Sequence, residues 1–161
     1  WTVLAQSISF QTNLSIGITT FIVSLIVLIL WYPLKQKPGL GTILNIVLIS
    51  IIIDLSTPVL PYPKSFLFQI IQSIVAVFLV GLGSGFYLTA NLGPGPRDGL
   101  MTGLQNLTNQ PIALIRTIIE VSAVGIGFYL GGIVGIGTLL FAFGIGPMVS
   151  LGIFIVMKFF K

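Results

Sequence analysis

No charged residue occurs before Lys35, between Lys64 and Arg97, or between Glu120 and Lys158. A helix rises ~1.5 Å per residue, so about 20 apolar residues cross a hydrocarbon layer ~30 Å thick. Each of these uncharged stretches is longer than that. Charged residues make up 6% of the chain, against roughly a quarter in a soluble domain. With a mean hydropathy of +1.13, the chain reads as an integral membrane protein and an all-α transmembrane fold.

Glycine, proline and interfacial aromatic residues divide the apolar sequence into five expected spans. The first covers about 14–33 and is closed by Trp31-Tyr32-Pro33, its aromatics at the interface and its proline ending the helix. Lys35-Gln36-Lys37-Pro38-Gly39 is a turn by composition. The second span, about 41–58, ends in a cluster of Pro58, Pro61 and Pro63 with Tyr62 and Lys64. The third runs over about 65–91 and meets Leu92-Gly93-Pro94-Gly95-Pro96, which regular helix cannot accommodate. The fourth starts at Pro111, with Asn109 as its cap, and ends before Gly131-Gly132. The fifth, about 136–158, holds Gly144, Gly146-Pro147 and Gly152, so a kink near Pro147 is expected. Segment 97–109 reaches only ~20 Å as helix and is expected to be interfacial or re-entrant.

Part of the chain repeats at an offset of 96 residues. Gly39-Leu40-Gly41-Thr42 returns as Gly135-Ile136-Gly137-Thr138, and Thr12-Asn13 as Thr108-Asn109. The register from Trp1–Pro58 to Arg97–Phe154 needs no gap. We therefore expect one transmembrane domain over 1–161, with repeat 1 at 1–58 and repeat 2 at 65–161. With five spans, Lys35, Lys37, Arg97, Lys158 and Lys161 share one side and Lys64 lies on the other. Basic residues collect in the cytoplasm, so the crowded side and the C-terminus are expected there. The two repeats then enter from opposite faces and are inverted. Arg97 is preceded by a span and its match, Trp1, is not, which implies a three-span unit used twice with the first span missing from this sequence.

Two sets of charges are candidate sites. Gly93, Gly95 and Gly99 let backbone approach a ligand closely, and Arg97 and Asp98 open a short helix whose N-terminus favours an anion. The same residues also suit a helix cap and an anchor to lipid phosphates. Arg116 and Glu120 stand one turn apart on the fourth span, with Glu120 ~13 Å along it and near mid-membrane. An ionisable residue there is costly unless paired and by default marks a pathway. Glu120 reads as a substrate- or proton-coupling carboxylate beside a structural arginine, or as half of a pair that fixes packing. Asp54, the only charge on the second span, reads as a second coupling carboxylate or as a water-exposed residue beside Ser56 and Thr57. The Gly-x-Gly-Thr pairs lack the lysine and the strand of a phosphate loop and are expected to form tight turns between helices. Gly81, Gly83 and Gly85 read as close helix packing.

The run Leu92-Gly93-Pro94-Gly95-Pro96-Arg97-Asp98-Gly99-Leu100 resembles that of the bacterial YczE-type integral membrane proteins, related to the YitT group. So do Arg116–Glu120 and the stretch from Gly131 to Pro147. Trp1-Thr2-Val3-Leu4 resembles the family's Pro-Trp-x-Val-Leu element, with Thr2 where many members carry aspartate. The resemblance implies a multi-span protein of the bacterial inner membrane.

Seven scattered basic residues give no nucleic-acid surface. The absence of cysteine and histidine removes thiolate metal sites and the commonest base. Three carboxylates alone leave no convincing catalytic set, so no enzyme, metal or cofactor is expected. The leading expectation is a small secondary transporter or exporter of an anionic or zwitterionic solute, embedded in membrane lipids, with a homo-oligomer allowed. The alternative is a non-transporting scaffold or regulatory and assembly factor.

Overall fold

A computed structural model of the chain describes residues 1–60, 63 and 65–159, with backbone only at 112 and 113. Pro61, Tyr62, Lys64 and Lys161, used above for the proline cluster and the topology, lie outside the described residues. The described residues form seven helices: α1 (Thr2–Thr12), α2 (Ile16–Trp31), α3 (Leu40–Ser56), α4 (Phe66–Thr89), α5 (Pro96–Thr108), α6 (Ile112–Tyr129) and α7 (Ile136–Phe159). No strand occurs among them. By length and composition α4 and α7 can each cross a membrane, and the bent pair α1–α2 makes a third if it counts as one span. The helices fall into two compact units, the first over Trp1–Leu60 and Gly93–Ile133, the second holding α4 and α7.

In the first unit, α1 and α2 meet at 116° across a break at Asn13, which adopts the left-handed conformation at φ 57°. Asn109, the residue 96 positions later, ends α5 in the same way at φ 53°. Asparagine tolerates that region because its short polar side chain bonds locally. Asn109 is thus the C-cap of α5, not the N-cap of the following span, whose cap position is held by Pro111. Lys35 after α2 and Gly131 after α6 form a second matched pair, at φ 53° and 91°.

The centre of this unit is Trp31, Val27 and Leu100, with Leu104 and Ile119 packed against them. Trp31 is 1% exposed, and its indole donates to the Pro96 carbonyl at 2.9 Å. It is therefore buried in protein and not an interfacial anchor, whereas its neighbour Tyr32 is 89% exposed. Gly99 lies flat against Trp31, where even a methyl group would collide with the indole. Gly127 lies in the same way against the backbone of Val3 and Leu4. Both Gly-x-Gly-Thr strings open helices, α3 and α7. Thr42 N–H reaches Gly39 O at 3.1 Å and Thr138 N–H reaches Gly135 O at 3.0 Å. They are helix starts, because glycine at the cap admits extended backbone.

In the second unit α4 and α7 run together through small residues. Gly85 meets Gly152 backbone to backbone, Gly81 meets Met148, and Val77 meets Gly144. Between lipid-embedded helices such close approach supplies dispersion contacts where the hydrophobic effect supplies little. Gly83 has open space and takes no part. Pro147 lies inside α7, which continues as helix on both sides of it.

Candidate functional site

The segment 93–96 is fixed by three contacts with the α2–α3 connection. Thr42 Oγ1 accepts from Gly39 N–H at 3.2 Å and donates to the Pro94 carbonyl at 2.7 Å. Trp31 holds the carbonyl of Pro96. Gly93, at φ 113°, passes so near Gly39 and Thr42 that a Cβ would lie 2.8–2.9 Å from them. Only glycine fits both the angle and the space. From this anchor α5 starts with Gly95 as cap and Pro96 in its first turn, followed by Arg97 and Asp98. Arg97 and Asp98 are half-buried, while Gly95, Pro96, Gly99 and Leu100 around them are buried.

The Arg97 guanidinium stacks over the indole of Trp1, 5.2 Å from the ring centroid. A desolvated cation over a tryptophan face gains about 2 kcal/mol. Trp1 is also the residue that matches Arg97 at the 96-residue offset. Its Nε1 is buried with no acceptor among the described residues. A buried donor of that kind is uncommon in folded chains.

Ile119 brings α6 against this region, with half-buried Arg116 and Glu120 on either side of it in sequence. Burial pushes the Asp98 carboxyl above the ordinary range, Arg116 and then Arg97 pull it down, and Glu120 pushes it up. Burial likewise opposes the charge on Arg97, while Glu120 and Asp98 support it. Arginine remains charged in proteins under such pressure. Thus Arg97, Asp98, Arg116 and Glu120 act on one another, although no direct ion pair joins them among the described residues. Two guanidiniums and two carboxylates so arranged can bind a small ion by charge-assisted hydrogen bonds.

Asp54 does a different job. Its carboxylate accepts from Ser15 Oγ at 2.5 Å and from Gly17 N–H at 2.7 Å, while Ser15 Oγ accepts from Ile18 N–H at 3.1 Å. The C-terminal turn of α3 thereby supplies the negative charge that the N-terminus of α2 favours. An open cleft of about 440 Å³ adjoins it, lined by Ser9, Ser15, Ile16, Asp54, Thr57 and Pro58. Asp54 is not among the charges that act on Arg97 or Asp98. No group of three carboxylates gathers among the described residues to hold a metal.

Arg97, Asp98 and Gly99 thus lie in the first turns of α5, where the charges of Arg116 and Glu120 on α6 are felt. Gly93 and Gly95 belong to the segment anchored ahead of α5, and Asp54 caps α2. Sequence reasoning missed Trp1, Trp31 and Thr42. The signal for Trp1 was its alignment with Arg97; local spacing carries none for the other two, whose partners are distant in sequence.

The model of a family of unknown function, DUF6198, matches residues 1–153. The chain belongs to this family. It is 42% identical over 158 residues to an uncharacterized protein of Haemophilus influenzae, covering 98% of this chain and 72% of that one. It is 35% identical over 108 residues to the uncharacterized membrane protein YczE of Bacillus subtilis, covering 67% of this chain and 50% of YczE. Similarity to the uncharacterized protein YyaS of the same organism is 29% over 141 residues, or 85% of this chain and 70% of YyaS. No solved structure matches the chain. Membership of DUF6198 and the likeness to YczE establish a YczE-type membrane protein family. The apolar helices of the fold agree with that character.

Proposed function

We propose that this protein is a small secondary transporter or exporter that moves an anionic or zwitterionic solute across the bacterial inner membrane. The observation that carries the reading is the electrostatic coupling of Arg97 and Asp98 on α5 to Arg116 and Glu120 on α6, in a chain of which charged residues make up 6%. Ionisable groups inside a membrane protein are expensive and mark substrate or proton paths. The Gly/Pro segment ahead of α5 lies beside them, and interrupted helices of that kind form the sites of transporters near the bilayer midplane.

Packing in the first unit supports a two-fold relation between the halves. α1 packs on α6 and α2 on α5, so each short helix rests on the long helix of the other half. Replacing each residue by its match at 96 turns the Gly99–Trp31 contact into that of Val3 with Gly127, which also occurs. Under the same exchange the Trp1–Arg97 contact becomes itself. A three-span unit ends on the side opposite its start, so a second copy of it is inverted and the axis lies in the membrane plane. In this topology Lys35, Lys37 and the C-terminus are cytoplasmic. Arg97 and Asp98 meet the solute, Glu120 couples its movement to a proton, and Arg116 stands one helical turn from Glu120 as its structural partner.

The test is uptake of a panel of labelled anionic and zwitterionic solutes by proteoliposomes, with and without a proton gradient. Glu120→Gln keeps the shape and removes the charge, so coupled flux should fall to background while the protein still folds. Arg116→Ala should lose both flux and thermal stability, because it removes the cation one helical turn from Glu120. Wild-type flux of an identified solute through Glu120→Gln would overturn the reading.

A further inference from the structure

At the break between α1 and α2 the first unit holds the open cleft of about 440 Å³ that Asp54 shares with Ser9, Ser15, Ile16, Thr57 and Pro58. What this cleft offers a ligand follows from where its protons already go. A carbonyl oxygen can only accept, so Ser9 Oγ donates to Leu14 O at 2.6 Å and Thr57 Oγ1 to Ile53 O at 2.7 Å. Ser15 Oγ accepts from Ile18 N–H, and its own proton goes to Asp54. All three hydroxyl protons of the lining are thus committed inside the protein. The N–H groups of Gly17 and Ile18, which could have drawn an anion to the start of α2, are committed as well.

Acceptors remain. A hydroxyl has two lone pairs beside its one proton, and a carboxylate has about four lone-pair sites and no proton. Each Asp54 oxygen therefore keeps a lone pair beyond the bond it accepts from Ser15 or Gly17. None of the six lining residues is basic, so the carboxylate meets no cation within the lining. Its place is fixed, because α2 passes so near at Gly17 that a Cβ there would collide with the Asp54 carboxyl and the Ser50 carbonyl. Ile16 and Pro58 add an apolar wall. The volume falls within the roughly 300–1,000 Å³ of small-molecule sites and is far more than the ~30 Å³ share of a single water.

We infer that this cleft binds a small organic ammonium ion, with Asp54 as its counter-ion, the Ser9 and Thr57 oxygens as further acceptors, and the alkyl body against Ile16 and Pro58. The site goes beyond the transport reading and does not depend on it, since Asp54 is not among the charges that act on Arg97 or Asp98. Binding leaves the cap on α2 in place, because it uses lone pairs that the cap does not.

The experiment is equilibrium dialysis of radiolabelled n-butylammonium against the full-length protein in detergent. One saturable site per chain is expected. Asp54→Asn should weaken it about tenfold or more, the scale of a hydrogen bond to a charged group. Thr57→Val should weaken it severalfold and is the variant that spares the fold, because the Thr57 N–H also bonds to Ile53 O and remains. Equal binding by wild type and Thr57→Val together with Asp54→Asn would overturn the inference. So would equally tight binding of n-butanol, which would make the cleft a purely apolar one, or displacement of the amine by an equal concentration of sodium, which would assign it to an alkali ion. Binding is read without flux, so failure here leaves the transport reading where it stands.

Discussion

The stretches Trp1–Pro58 and Arg97–Phe154 match in where their helices break and differ in their chemistry. Left-handed residues fall at matched positions, Asn13 with Asn109 and Lys35 with Gly131. Each half opens its last helix at Gly-x-Gly-Thr. Yet Arg97, Asp98, Arg116 and Glu120 stand opposite Trp1, Thr2, Thr20 and Ser24. Positions that set the path of the chain tolerate few residue types, whereas a site needs its charges once. A two-fold scaffold can therefore keep its turns and place its ionisable groups in one half.

The largest effect expected from this asymmetry is on flux. Glu120→Gln should abolish it, whereas Ser24→Ala at the matched position should leave it near wild type in the same proteoliposomes. Equal losses from the two changes would mean that the halves share the chemistry. Next come the packed glycines. Gly99→Ala and Gly127→Ala each push a methyl into a neighbouring helix and should cost about 1–3 kcal/mol apiece. Gly125→Ala, with open space around it, should be neutral or slightly stabilising, as thermal unfolding in detergent would show. A large loss at only one of Gly99 and Gly127 would break the packing symmetry.

A smaller effect belongs to the caps. Asn13→Ala and Asn109→Ala force a Cβ-bearing residue without a local hydrogen bond into the left-handed region, at roughly 1 kcal/mol each. The glycine substitutions at the same positions should be close to neutral, and unequal costs would show that the two breaks are held differently. The smallest concerns pH. The Asp98 carboxyl titrates above its unfolded value because it is buried, so the folded state holds that proton more tightly. Stability from this group therefore rises as pH falls through the raised range and is lost as pH climbs. Asp98→Asn should remove that slope from thermal unfolding above the ordinary carboxylate range; an unchanged slope assigns it elsewhere.

Local chemistry made the helices legible. Glycine and proline mark many of the helix ends, and the helix over 96–108 falls on the short segment that composition sets at 97–109. Tertiary partners were not legible. Asp54 caps α2 from 37 residues away, and Trp31 reaches Pro96 across 65. No spacing rule spans such distances, so Trp31 read as an interfacial aromatic, and the contact of Asp54 with α2 was absent from both of its readings, a coupling carboxylate or a water-exposed residue. Asn109 was ambiguous for another reason: asparagine suits both an N-cap and a left-handed C-cap. Of the site, Arg116 and Glu120 were readable as one helical turn. Their reach to Asp98 and Arg97 depends on α5 packing against α6, which only the fold supplies.

The central claim is that the two halves are inverted copies, and matched positions then lie on opposite faces of the membrane. Gln11 and Leu107 are matched, both are exposed, and the chain has no cysteine to compete. Single Gln11→Cys and Leu107→Cys proteins in intact cells should therefore respond differently to a membrane-impermeant maleimide. The inverted arrangement predicts labelling of Gln11→Cys from outside and of Leu107→Cys only after the cells are opened. Labelling of both from the same side would contradict it.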